Sequence, residues 1–122
     1  MSGSELIPCP ACGFLVFHGT YGTYDNCRVC DWEDDGMQIS NPTSERGANK
    51  TSLAEAQATI LGRIPIEIQN YEGYARSGSW RPLRLDEIAA ANVAKAVEHW
   101  HSIAAVEVSE AYWSTGRNRK HR

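Results

Sequence analysis

The rhythm of apolar and polar positions along the 122 residues changes several times, and each change marks an element. Aromatic and β-branched residues run from Phe14 to Phe17 and from Tyr21 to Tyr24, separated by His18-Gly19-Thr20, with Gly22 inside the second run. That pattern predicts two short strands joined as a hairpin. Beyond Trp32 the periodicity dissolves through Gly36, Asn41-Pro42 and Gly47. The loop is about fifteen residues long against a usual connection of about 4 to 6, and a loop of that length is either disordered or used.

Helical spacing starts at Ser52-Leu53-Ala54-Glu55, an S-x-x-E capping box in which hydroxyl and carboxylate each satisfy a free backbone donor. The predicted helix runs to about Gly62, with Leu53, Ala56, Ile60, Leu61 and Ile64 forming a buried stripe at spacings of three and four. Pro65 ends it, because proline removes an internal donor and disfavours the helical conformation of the residue before it. Ile66 to about Tyr74 reads equally as a short helix or an extended piece. Arg76 to Pro82 reads as a loop in which Trp80 is conspicuous. Asp86 opens the longest periodic segment, a helix from about Glu87 to Tyr112. There Val93, Val97, Trp100, Ala104 and Val108 share one face, and the alanines between them favour helix.

The four cysteines change the picture. They fall as Cys9-Pro10-Ala11-Cys12 and Cys27-Arg28-Val29-Cys30, two C-x-x-C pairs. Two residues between thiolates let a tight turn bring both sulfurs to one metal at about 2.3 Å, and the second turn completes a tetrahedron. Gly13 and Asp31 follow the two pairs, both residues that tolerate the positive φ such a turn ends on. Cys9, Cys12, Cys27 and Cys30 are therefore the expected ligands of one structural Zn2+. Four thiolates leave no open position for catalytic water. Disulfides require an oxidising compartment, and thioredoxin-like chemistry requires a helix after Cys12, where the pattern gives a strand. His18 is read as an exposed turn residue. His99 and His101 lie on different faces of the expected helix and cannot share a metal.

The fold expectation is α+β: a small four-cysteine zinc-ribbon-like β-hairpin module followed by two or three helices, the last one long. A single compact domain over 1–122 is expected, with the zinc-binding hairpin at 7–40, a mainly helical part at 50–114 and a flexible basic tail at 115–122.

Charge narrows the function. The formal net charge is -3, but Arg117, Arg119, Lys120 and Arg122 contribute four positive charges, leaving -7 over residues 1–116. A nucleic-acid-binding ribbon should carry its lysines and arginines on the fold. Here the segment beside the second pair, Asp31-Trp32-Glu33-Asp34-Asp35, is acidic. Alternating calcium-loop ligands, a phosphate-binding glycine loop, a nucleophile elbow and an H-E-x-x-H helix are all missing, so no enzyme activity is expected. No apolar run approaches the length of a membrane span and no secretory signal is visible, which makes a cytoplasmic protein the expectation.

Several blocks carry a resemblance: Cys9-Pro10-Ala11-Cys12-Gly13, Tyr24-Asp25 before Cys27, Trp32-Glu33-Asp34-Asp35-Gly36 with Gln38, Gly47-Ala48-Asn49 and Ser52-Leu53-Ala54-Glu55-Ala56. Over roughly residues 7 to 61 the chain resembles the bacterial cysteine-rich CPCC-domain family, whose third motif position is usually cysteine where this chain has Ala11. The resemblance implies a small bacterial protein, and some similar chains look like immunity partners encoded near secreted toxins. A protein partner is therefore expected, a bacterial toxin domain first. Trp32, Glu33, Asp34 and Asp35 are the expected contact, since an acidic surface steers toward a basic partner and a tryptophan anchors interfaces. For Trp32 a place in the core over the zinc knuckle is the competing assignment. The alternative function is a nucleic-acid-associated zinc ribbon that uses the basic tail.

Overall fold

The structure is a computed structural model that describes residues 5–98 and 104–114. Among the described residues it has two small antiparallel hairpins and three α-helices, with one 3-10 turn at Val108–Glu110. The fold is α+β.

The first hairpin is not the expected one. Strand β1 (Leu6–Pro8) pairs with β2 (Leu15–His18), with Leu6 opposite His18, Ile7 opposite Phe17 and a bulge before Pro8 faces Leu15. The Phe14–Phe17 run thus pairs backwards to the residues before the first cysteine, and Tyr21–Tyr24 forms no strand. The reason lies in the backbone: Gly19, Gly22 and Tyr24 take φ of 78°, 91° and 65°, which extended chain cannot accommodate. The Tyr21 and Tyr24 amides donate instead to Val106 O and Asp34 O. The first cysteine turn is consequently the tip of the hairpin.

The long loop after Trp32 is ordered by its own side chains. Asp35 caps a short helix α1 (Gly36–Ser40), its carboxylate accepting from Met37 N. Helix α2 (Leu53–Arg63) begins on the complete Ser52/Glu55 capping box and ends at the extended Ile64 before Pro65, as its pattern required. Leu53, Ile60 and Ile64 are buried, Ala56 and Leu61 partly so. The undecided stretch that follows contains a second hairpin, β3 (Asn70–Tyr71) with β4 (Tyr74–Ala75). The isolated bridge Phe14 to Arg76 joins it to the first.

Helix α3 spans Leu85–Glu98. The expected continuation to Tyr112 fails from residue 104 on, where Ala105 N donates to Gly36 O and Val106 O accepts from Tyr21 N, so this backbone pairs with the N-terminal half instead of with itself. On the face that Val93 and Val97 share, both are exposed, at 66% and 72%. Alanine-rich sequence made the helix, and few neighbours cover it. Trp100, His99, His101 and the basic tail 115–122 lie outside the described residues.

The core gathers around the first hairpin. Phe14, Phe17, Tyr21, Trp32, Leu53 and Trp80 are buried together, and Trp113 returns from the C-terminal segment to pack edge-on against Tyr21. No helix among the described residues is long and apolar enough to cross a membrane.

Candidate metal centre

The two C-x-x-C segments fold into the same turn twice. In the first, Gly13 N donates to Cys9 O at 2.8 Å and Cys9 N to Phe14 O at 2.9 Å. In the second, Asp31 N donates to Cys27 O at 2.9 Å and Cys27 N to Trp32 O at 2.8 Å. Gly13 and Asp31 close the two turns with φ of 82° and 70°, the left-handed conformation expected of them. Each turn also aims amides at its leading sulfur: Ala11 N at Cys9 Sγ (3.4 Å), and Val29 N and Cys30 N at Cys27 Sγ (3.3 and 3.4 Å). Such donors stabilise a thiolate.

The turns face each other so that all four Sγ atoms lie within 4.8 Å of one another. The cross-turn pairs Cys9–Cys30 and Cys12–Cys27 are 3.7 and 3.6 Å apart. A tetrahedron with metal–sulfur bonds of about 2.3 Å has edges of about 3.8 Å, so the four sulfurs already hold the shape a zinc-like ion takes. A disulfide would need about 2.05 Å, and all four cysteines are free. Cys9, Cys12 and Cys27 are buried and Cys30 is half-buried.

The electrostatics fit a cation. Burial pushes the Cys9 thiol well above its usual range, and hydrogen bonding with Cys27 and Cys30 raises that of Cys12. The same bonds, from Cys12 first, hold Cys27 far below its usual range. Four thiolates together require a positive ion at their centre.

The C-terminal half fastens onto the first turn through residues the sequence pattern did not single out. Pro10 O accepts from Gln57 Nε2 (2.9 Å) and Trp80 Nε1 (3.1 Å), Cys12 O from Arg76 Nε (2.9 Å) and Gly13 O from Ser77 N (2.8 Å). Gln57 sits within the apolar stripe of α2, where a buried amide can be found only by asking which carbonyls need a donor. His18 is exposed on β2 and does not belong to the cysteine cluster.

The expected acidic contact surface is turned inward. Trp32 and Asp35 are 3% exposed and Asp34 is fully buried, while Glu33 is half-buried. Asp34 Oδ2 accepts from Thr23 N and Oγ1, and Asp35 Oδ2 accepts from Ala48 N. Asn49 holds the Glu33 backbone from both sides, Oδ1 accepting from its amide and Nδ2 donating to its carbonyl, each at 2.8 Å. Gln38 Oε1 accepts from Asn49 Nδ2 and its amide, while Gln38 Nε2 reaches Ser44 O and Thr51 O. The W-E-D-D-G-x-Q and G-A-N blocks are therefore one internal network that locks the loop beside the second turn. Their charge was read as surface because a carboxylate is usually solvated, whereas here backbone amides and the Thr23 hydroxyl take the place of water at three of the four carboxylate oxygens, Asp34 Oδ1 being left without a partner.

Negative charge that does reach the surface lies nearby. A groove of about 740 Å3 is lined by Leu6, Phe17 and Tyr74 together with His18, Asp25, Asn26, Arg28 and Asp31. Asp25 and Asp31 are exposed there.

Residues 7–62 match the family model described as Cysteine-rich CPCC. No curated protein matches the chain.

Proposed function

We propose that the Cysteine-rich CPCC domain formed by residues 7–62 is a scaffold closed by one structural Zn2+, and that the protein acts by binding another protein, not by catalysis. The observation that carries the metal part is the meeting of four free sulfurs within 4.8 Å at tetrahedral spacing. All four positions of such an ion are filled by Cys9, Cys12, Cys27 and Cys30, which supports a structural and not a catalytic ion.

The partner suited to the exposed chemistry is a basic protein surface, and we take it to be a bacterial toxin domain that this protein neutralises. Support comes from the groove beside the second turn, where exposed Asp25 and Asp31 adjoin Leu6 and Tyr74. Charge at the rim steers encounter and an apolar floor holds the complex.

Two measurements test this reading. Elemental analysis of freshly purified, reduced protein is expected to give one zinc per chain. Co-expression with a basic toxin domain encoded beside it is expected to restore growth, and Asp25→Asn with Asp31→Asn to slow association at low salt while leaving melting unchanged. Growth arrest that persists with the native protein present would remove the inhibitor reading.

A further inference from the structure

Arg76 is the sole buried cation among the described residues, 6% exposed, and it lies outside the matched family domain. A buried guanidinium ordinarily finds a carboxylate. The acceptors of Arg76 are all backbone carbonyls: Cys12 O from Nε at 2.9 Å, Pro65 O and Ile68 O from Nη1 at 2.6 and 2.9 Å, and Ile64 O from Nη2 at 3.2 Å. Its charged carbon also sits 4.3 Å from the centre of the Phe14 ring. Four carbonyls and a ring face orient the group, and negative charge reaches it only through space, from Cys12 first and then from the exposed Glu67.

The larger of these charges is the cysteine cluster next door. Four thiolates around a divalent ion carry a net charge of two minus, and Cys12, whose carbonyl Arg76 holds, is one of the four. We propose that Arg76 is the counter-charge of the metal centre, setting how tightly the four-thiolate site retains its ion and coupling the β3–β4 hairpin to metal occupancy. This rests on the reading of the cysteine cluster as a metal site. Arg76 sits at the end of β4, its amide donating to Gln69 O and the next amide, Ser77 N, to Gly13 O. A change of charge at the sulfurs is therefore felt directly by the second hairpin. Partners in the outer shell of a metal site commonly change affinity by roughly 10- to 100-fold.

The experiment separates charge from hydrogen bonding. Arg76→Gln keeps amide donors and loses the charge, whereas Arg76→Lys keeps the charge and loses the planar fork. Zn2+ affinity is measured by competition with a chromogenic chelator, with folding followed by circular dichroism. Arg76→Gln is expected to bind Zn2+ about 10-fold or more weakly, and Arg76→Lys to stay much closer to the native protein. The same pair is then made with Cys30→His, which replaces one thiolate by a neutral ligand at the most exposed position and halves the net charge. In that background the penalty of Arg76→Gln should shrink, a coupling that lost carbonyl bonds alone do not produce. Equal weakening by Gln and Lys, or an undiminished penalty with Cys30→His, overturns the proposal. A native protein that takes up no metal instead defeats the reading of the cluster itself, before any variant is compared.

Discussion

Trp80 occupies the space a side chain at Gly13 would need: a β-carbon there would lie 2.3 Å from Trp80 Cε3. Gly13 also closes the first cysteine turn at φ 82°. Two independent demands for glycine therefore meet at one position. Gly13→Ala should cost about 1 to 2 kcal/mol for the left-handed backbone, and about 1 to 3 kcal/mol more for displacing the tryptophan. Thermal melting and the rate of metal release to a chelator both report it. A variant with native melting would show that neither the turn nor its aromatic cover is constrained.

Asn49 serves the network through both ends of its amide. Asn49→Asp keeps the shape but removes the side-chain donor to Glu33 O and Gln38 Oε1, leaving Gln38 Oε1 only the Asn49 backbone amide, and adds charge beside carbonyl oxygens. Glu33 O loses its side-chain donor and Gln38 Oε1 one of two donors, at about 1 to 3 kcal/mol for the acceptor left unpaired. Denaturant unfolding should show a loss of that order at pH 7 that becomes smaller as the new carboxyl is protonated near pH 4. A loss that does not change with pH would assign the effect to something other than charge and donor loss.

The elements set by local chemistry were legible in the sequence: the meeting of the four cysteines, the left-handed residues Gly13 and Asp31, the Ser52/Glu55 cap and the stop at Pro65. What was not legible depends on distant partners. The strand Leu15–His18 was visible, but its choice of Leu6–Pro8 over Tyr21–Tyr24 follows from positive φ values at Gly19, Gly22 and Tyr24, which apolar alternation does not encode. The periodicity that set Val93 and Val97 on one face measures amphipathicity, and amphipathicity does not supply a surface for that face to be buried against: both residues are exposed. Asp34 and Asp35 were misplaced for the opposite reason. Their acidic character was obvious, and the amides of Thr23, Met37 and Ala48 that receive them come from three segments of the chain.

One buried phenol, Tyr21, and one half-buried, Tyr112, set the alkaline limit. Tyr21 donates to Pro8 O at 2.6 Å and Tyr112 to Arg81 O at 2.5 Å. Burial raises both phenols well above the usual tyrosine range. The folded state thus holds protons that the unfolded chain releases near pH 10. Stability from this source is full below about pH 10 and is lost as pH rises further, by about 1.4 kcal/mol per unit for each tyrosine. Tyrosinate absorbance should lag for these two residues until circular dichroism reports unfolding, and Tyr21→Phe should make the alkaline decline shallower. Full ionisation of every tyrosine with native ellipticity retained would refute the assignment.

Cys27 is the pivot of the four-cysteine cluster, accepting from Val29 N and Cys30 N and standing 3.6 Å from Cys12 Sγ. Serine keeps the size but ligates zinc poorly, leaving three thiolates whose mutual repulsion the ion must still offset. Structural zinc sites contribute about 10 to 16 kcal/mol to folding in small peptides. This is as large as the whole stability of about 5 to 15 kcal/mol expected for a domain of ordinary size. Cys27→Ser should therefore release the metal and unfold both turns, and the first hairpin with them, because β1 and β2 meet through the Cys9–Gly13 turn. Removing the ion from the native protein with a strong chelator under reducing conditions should reproduce that state, and added Zn2+ should reverse it. Elemental analysis and melting of the serine variant decide the matter: one equivalent of metal retained with an unchanged transition would mean that Cys27 is not a ligand and that the four-sulfur cluster does not hold the fold.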